Sequence, residues 1–261
     1  VAGSSVLFRS ALLIALALGT IDDIVRIKTN EAMKFKYADY YFSSFIILVI
    51  IGFWPTYFSK FFDGTANFSQ YFHFHAVTAV LWVLLLIVQP MLIRTKKFRT
   101  HRLIGKFSYI LVPILFISII LLAHFRLNPD TENLAWRVWI PFKDLFIFSF
   151  GFGVAIRYRK TVAIHARGMV VAGMALIEPT MVRMVVNVFG VEQPLGYYLG
   201  IAPIYIILII LIIKERNEVK GRWVFKWAIG LFLFVHVIRI FKIILPFWYD
   251  FAHWYISLPL T

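Results

Sequence analysis

The 261-residue sequence contains no cysteine, which excludes several kinds of chemistry at once. Without thiolates the chain cannot form disulfides, cysteine-ligated zinc sites or cysteine-ligated iron–sulfur clusters, and it cannot attach a c-type haem through thioether bonds. Any haem would have to be held without covalent attachment. Histidine, present seven times, is then the first candidate for its axial ligand.

Charged side chains are also scarce, at 15% of the residues, whereas a soluble domain averages about 25%. Hydrophobic residues make up 61% of the chain, against about 45–50% in a soluble domain, and the mean hydropathy is +0.81. A water-soluble fold of this length could not bury so much apolar surface. The composition therefore predicts a polytopic membrane protein, and it excludes secreted disulfide scaffolds, nucleic-acid-binding modules and ordinary cytosolic enzymes.

Seven apolar runs are long enough to cross a bilayer, which takes about 20 residues in a helix. Backbone groups in lipid must be hydrogen-bonded within their own segment, so these runs predict an all-α bundle of seven transmembrane helices. After the seventh run, Pro246 begins an aromatic tail that we expect at the membrane interface. The seven predicted spans are residues 40–59, 71–93, 103–124, 138–156, 162–189, 196–213 and 223–247.

The net charge is +14, and the basic residues behind it are concentrated in alternate loops of the predicted topology. The flank before the first span and the loops after the second, fourth and sixth spans carry seventeen lysines and arginines when Lys106, Arg167 and Lys226, just inside the following spans, are counted with them, whereas the other loops carry three. Basic loops stay on the cytoplasmic side, so we expect the N-terminus inside and the C-terminus outside, in the inner (plasma) membrane of the cell. The basic residues are explained by topology, and no nucleic-acid partner is expected.

Residues 1–32 stand apart from the seven spans. Their apolar stretch, residues 11–18, is too short to cross a bilayer and resembles the core of a signal peptide. Cleavage of a signal would, however, invert every loop against the distribution of basic residues. We therefore expect residues 1–32 to be a dispensable extension or a segment foreign to the native protein, and residues 33–261 to form the transmembrane domain.

Histidines inside spans are candidates for function, because polar groups in lipid are costly. The topology places His75 and His124 near the outer face, and His101 and His165 near the inner face. These four histidines could form one ligand pair near each face for two b-type haems. In the alternative interpretation, the inner histidines and the arginines beside them cap helix ends and bind anionic lipid headgroups or a quinone-like ligand.

A second set of charged side chains lies in the outer half of the bundle. Glu178 and Arg183 are separated by about 140° around their helix, so Glu178 is expected to pair with Lys143, Arg239 or His236 instead. The set is either a group of inter-helix ion pairs without chemistry or an outward-facing pocket for a small molecule. Its six members are Lys143, Asp144, Glu178, Arg183, His236 and Arg239.

The stretch from His75 to Tyr109 resembles a broad family of bacterial predicted membrane proteins of unknown function. The resemblance covers residues 71–190 and implies a multi-pass membrane fold. Where the family more often has Trp-Met, this sequence has Gly168-Met169. The shared pattern comprises His75, Gln89, the basic stretch Arg94–Arg99, His101-Arg102-x-x-Gly105, and then His165, Met169 and Arg183.

A looser likeness, in arrangement only, is to b-type cytochromes that hold two haems between transmembrane helices. It implies haem b as a cofactor, electron transfer across the bilayer and a redox partner. The first alternative is a transporter or ligand-binding membrane protein that uses the outer pocket, and the second is a membrane assembly factor without catalysis. The sequence assigns no catalytic residue and does not decide whether the protein is an enzyme.

Overall fold

The computed structural model describes residues 38–261, and the expected extension at residues 1–32 lies outside this range. The described part is 78% helical and contains no strand. Seven of its helices are long and apolar enough to cross a membrane, which confirms the predicted all-α, multi-pass architecture. The seven spans are α1 (Ala38–Phe62), α2 (Gln70–Arg94), α3 (Phe98–Phe125), α4 (Leu134–Arg157), α5 (Val162–Val188), α6 (Leu195–Lys214) and α7 (Trp223–Ile240).

Helix α4 lies at the centre of the bundle and packs against α3, α5 and α7. Helix α2 packs between α1 and α3, and α6 packs against α5 and α7. Most of the core is apolar, and Trp82, Ile147, Val171 and Phe225 in it are fully buried. Helix α1 contributes least to this core, since Asp39 and Gly52 are the buried residues of its first segment, Ala38–Phe53.

Two glycines bring α4 and α5 into backbone contact. A Cβ added at Gly168 would lie 2.6 Å from the backbone nitrogen of Ala155, and one at Gly151 would clash with the backbone nitrogen of Ala172. Side chains larger than hydrogen would force the helices apart at these positions, as in other small-residue contacts between membrane helices. Close packing therefore holds this half of the helix pair.

Helix α5 is interrupted in its middle. Its first segment ends at Met174 and its second, Ile177–Arg183, carries Glu178 and Pro179 near its start. Proline has no backbone N–H, so the carbonyl of Ala175 lacks its usual helical donor at Pro179. The two segments can therefore differ in direction. Glu178, at the start of the second segment, lies in the interior and is 5% exposed.

The seventh span ends at Ile240, seven residues before the predicted end. Lys242 adopts a left-handed conformation (φ 50°), and the Ile243 N–H donates to the Ile238 carbonyl, which is the hydrogen bond that closes many helix C-termini. The predicted tail then forms an eighth helix, α8 (Pro246–Ser257), which packs on α4. Its Trp248 indole donates to the Ala135 carbonyl at 2.8 Å, so the tail forms part of the bundle.

Candidate functional site

We name the two ends of the bundle by their loops. The basic end carries the loops 95–97, 158–161 and 215–222, and the distal end carries the loops 63–69, 126–133, 189–194 and 241–245. The outer charged set predicted from the sequence lies in the distal half. The inner histidines lie near the basic end.

Lys143 on α4 is the most deeply buried cation of the distal half, with none of its surface exposed. Its ammonium group donates to Asp144 Oδ1 at 2.6 Å and to Glu178 Oε2 at 2.5 Å. Glu178 comes from the second segment of α5, so the lysine joins two helices. Each of these ion pairs is hydrogen-bonded, as buried charges need to be.

The same carboxylate oxygen of Glu178 lies 3.0 Å from His236 Nε2 on α7, and His236 Nδ1 lies 2.7 Å from the Tyr205 hydroxyl on α6. A neutral imidazole satisfies both contacts in one tautomer, in which Nε2–H donates to Glu178 and Nδ1 accepts from Tyr205. We call this hydrogen-bonded chain the buried relay. Its members, which connect four helices, are Asp144, Lys143, Glu178, His236 and Tyr205.

Two of the three expected partners of Glu178, Lys143 and His236, are therefore its hydrogen-bond partners. Sequence reasoning missed Tyr205, although a hydroxyl in the middle of an otherwise apolar span is a signal that could have found it.

Arg239, the third expected partner, lies next to the relay and makes no ion pair with it. Its guanidinium carbon is 4.1 Å from the centre of the Tyr197 ring and 5.2 Å from the centre of the Trp136 ring. Its Nη1 is buried without a hydrogen-bond partner, and so is the Tyr197 hydroxyl. Sequence reasoning also missed Tyr197, because an aromatic residue at the start of a span such as α6 is typical of the membrane interface.

Arg183 completes the distal set. Its Nη1 donates to the Pro179 carbonyl one turn earlier at 2.7 Å, and its guanidinium lies over the Phe53 ring. It is within electrostatic range of Asp144 and Glu178 without a hydrogen bond to either. All six predicted residues thus share one region of the distal half, and four of them are directly hydrogen-bonded to one another.

The outer histidines have separate partners. His75 Nδ1 is 3.1 Å from the Ser118 hydroxyl, in a polar contact between α2 and α3 that also includes Thr78. His124 Nδ1 is 2.6 Å from the Thr261 hydroxyl, and its ring meets the Tyr255 ring edge-on. No contact joins these two histidines within the part of the chain that the structure describes.

The inner histidines share one arrangement. His101 Nδ1 is 3.3 Å from the Gln89 carbonyl, which joins the glutamine and the histidine of the sequence pattern, and His165 Nδ1 is 2.9 Å from the Ala155 carbonyl. Such a contact fixes the ring and leaves Nε2 as the nitrogen for a ligand. The two rings are within electrostatic range of each other. Helix α2 packs against both α3 and α5, the helices that carry them.

Between residues 38 and 261, no three histidine, aspartate or glutamate side chains are grouped so as to hold a metal ion. The charged groups of the basic end pair across helix ends. Arg167 Nε donates to Glu215 at 2.6 Å, and Arg94 Nη2 donates to Asp39 at 2.6 Å.

An open cavity of about 750 Å³ lies at the basic end, where α4 meets the loop to α5. Phe152 and Ile156 form its apolar part, and Arg157, Arg159 and Lys160 supply its cations. The cavity therefore combines an apolar wall with a cationic one.

No family model, curated protein or solved structure matches this chain. The candidate sites therefore stand on their geometry alone.

Proposed function

We propose that the protein is a membrane transporter that moves a small molecule together with protons, and that the buried relay carries the proton. The observation behind the proposal is the unbroken hydrogen-bonded chain from Asp144 to Tyr205. Ionisable groups inside membrane spans are costly, and chains of acids and histidines are the usual components of proton pathways in pumps and transporters. In this proposal the basic end faces the cytoplasm of a cell whose plasma membrane holds the protein.

Glu178 is the switch in this proposal. While ionised, its carboxylate neutralises Lys143 and accepts a hydrogen bond from His236, and so it ties α5 to α4 and α7. Protonation of Glu178 removes that charge, leaves the Lys143 ammonium with Asp144 alone and weakens the contact between these helices. A change of protonation is thereby linked to helix packing, which proton-coupled transport requires.

Infrared difference spectroscopy of the purified protein across a pH step tests the switch. We expect the wild-type protein to show a change in carboxyl vibrations that Glu178→Gln lacks. Asp250→Asn, which removes an exposed acid on α8, is the control and should keep that change. An unaltered difference spectrum in Glu178→Gln would remove Glu178 from the proton pathway.

Transport itself is tested in liposomes that contain the protein and a pH-sensitive dye. Gradients of small organic acids, amines and sugars are applied one class at a time. We expect one class to drive proton movement through the wild-type protein and through Asp250→Asn, and none to do so through Glu178→Gln. If no class moves protons in any variant, the distal charges are structural ion pairs.

A second candidate function is electron transfer through b-type haem, and the inner histidines support it. His101 and His165 each have Nδ1 fixed by a backbone carbonyl and Nε2 left for a ligand, the arrangement in which histidine binds metals. Haem held there would supply one-electron chemistry, and His75 with His124 would serve a second haem near the distal end. This candidate also fits the resemblance to the bacterial membrane protein family, whose pattern contains His75, His101 and His165.

The absorption spectrum of detergent-purified protein from haem-replete cells separates this candidate from the first. A haem band that is lost in both His101→Ala and His165→Ala would support the inner pair, with Arg102→Ala as a control that keeps both histidines. A wild-type spectrum without haem bands would exclude the cytochrome function and leave the transport proposal untouched.

A further inference from the structure

Two hydrogen-bond donors beside the relay are buried without partners: Nη1 of Arg239 and the hydroxyl of Tyr197. Leaving a buried donor unpaired typically costs about 1–3 kcal/mol, and more for a charged group. The two side chains are in contact, because the guanidinium carbon of Arg239 lies 4.1 Å from the centre of the Tyr197 ring. Two adjacent unsatisfied donors in one place are typical of a site that is completed by an acceptor from outside the chain.

The charges around these donors do not balance. The distal set contains three cations, Lys143, Arg183 and Arg239, and two anions, Asp144 and Glu178. His236 adds no negative charge, whether its imidazole is neutral or protonated. Lys242, whose ammonium lies 5.8 Å from the centre of the Trp136 ring, adds a further cation beside Arg239. Cations therefore outnumber anions here, and excess positive charge in the interior is unfavourable unless it is paired, so the region suits an anionic ligand.

The guanidinium is held in one orientation. Trp136 lies on one part of it and Tyr197 on another, and the Trp136 indole also donates to the Arg239 backbone carbonyl at 3.2 Å. A fixed planar guanidinium is well suited to a carboxylate, whose two oxygens match its donors. The two rings provide apolar surface for the remainder of a small ligand.

We infer that Arg239 and Tyr197 form the binding site for the carboxylate of a small monocarboxylic acid. This inference rests on the proposed function, for which it names the substrate class. One carboxylate supplies the acceptors that the Arg239 guanidinium and the Tyr197 hydroxyl lack, and it adds one negative charge to a region where cations are in excess. The substrate anion and the proton would therefore be bound in the same half of the bundle.

Ligand-dependent thermal unfolding of the purified protein tests the site without requiring transport. The probes are propionate and benzoate, compared with propionamide and benzamide at equal ionic strength. We expect the carboxylates to raise the unfolding temperature saturably and the neutral amides to leave it unchanged. Tyr197→Phe, which removes only the hydroxyl, should raise the half-saturating carboxylate concentration about tenfold, because hydrogen bonds to charged groups are among the stronger ones.

Arg239→Gln should abolish the carboxylate effect, and Arg137→Gln, which removes an exposed arginine from α4, should retain it. If Arg239→Gln does not fold, Tyr197→Phe alone decides. Absence of stabilisation by either carboxylate, or equal stabilisation of wild-type protein and Tyr197→Phe, would overturn the site. Carboxylate binding without proton movement in liposomes would preserve the site and refute transport, whereas proton movement driven only by amines or sugars would do the reverse.

Discussion

Helices α4 and α5 meet in both halves of the bundle, but the two halves of that contact use different chemistry. Toward the basic end, Gly151 and Gly168 let the two backbones touch. Toward the distal end, the helices are joined by the ion pair between Lys143 and Glu178, both of which are buried. The same two helices are thus held by close packing at one end and by buried charge at the other.

This difference indicates which half of the bundle has a function in addition to holding the helices together. Helices in lipid associate through small residues and van der Waals contact, and the glycine half shows that this pair can do so. Buried ion pairs are weak evidence for stability, because desolvation offsets most of their attraction. The distal charges are therefore better explained by function than by adhesion, which is why the proposals above concern that half.

The largest contrast we predict between the halves is their accessibility from the two sides of the membrane. Lys97→Cys in a basic loop and Glu192→Cys in a distal loop are each the single cysteine of the chain, because the sequence has none. With a membrane-impermeant thiol reagent on intact cells, we expect Glu192→Cys to react and Lys97→Cys to react only after lysis. Reaction of Lys97→Cys in intact cells would reverse the orientation and place the relay near the cytoplasm.

The second prediction compares two ion pairs, one from each half. Glu178→Ala leaves the fully buried Lys143 without its inter-helix partner, a kind of change that typically costs about 3–5 kcal/mol. For a chain of this size that corresponds to a fall in unfolding temperature on the order of 10 °C. Asp39→Ala acts on Arg94, whose side chain is 31% exposed, and should cost about 1 kcal/mol or less.

Thermal unfolding in detergent measures both variants, and Glu178→Gln separates the loss of charge from the loss of the hydrogen bond. Equal shifts for Glu178→Ala and Asp39→Ala would show that the distal pair is solvated like the other and would remove the contrast between the halves.

The seven spans could be predicted from the sequence because a span needs only an uninterrupted apolar run of about 20 residues. The predicted start of α3 is residue 103, five residues too late. The first segment of this helix, Phe98–Gly105, is polar, and hydropathy does not mark it as part of a span although it is helical. Partners were harder to predict. Helices that are apolar on every side give no periodic signal for which face meets which neighbour. Charge therefore gives three candidate partners for Glu178 without choosing among them. Tyr205 and Tyr197 carry no charge at neutral pH, so the same reasoning does not point to them.

The third prediction tests the glycine half. Gly168→Ala places a methyl group 2.6 Å from the Ala155 backbone nitrogen, and overpacking of this kind typically costs about 1–3 kcal/mol. Gly153→Ala is the matched control on α4, because a Cβ there meets nothing within 4 Å and alanine favours a helix by up to about 1 kcal/mol over glycine. Thermal unfolding should fall for the first and be unchanged or slightly raised for the second. A neutral Gly168→Ala would mean that the backbones do not touch, and that charge also holds the basic half.

The smallest effect we predict concerns the cations that the basic half keeps outside its helix contact. Arg159 lines the cavity between α4 and the following loop, above the apolar Phe152, and we propose that an anionic lipid headgroup occupies it. One arginine near an anionic surface contributes about 1 kcal/mol, so Arg159→Gln should weaken binding of phosphatidylglycerol about fivefold, as measured by native mass spectrometry against phosphatidylcholine. Arg216→Gln removes the same charge from the next basic loop, outside the cavity, and should have a smaller effect. Equal losses of phosphatidylglycerol binding in the two variants would show only a general attraction between a basic surface and an anionic membrane, and no specific lipid site in the cavity. A larger loss in Arg159→Gln would make the cavity a defined lipid site. The exposed cations of the basic end would then bind lipid, whereas the buried cations, Arg167 at the basic end and Lys143 at the distal end, pair with carboxylates of the chain.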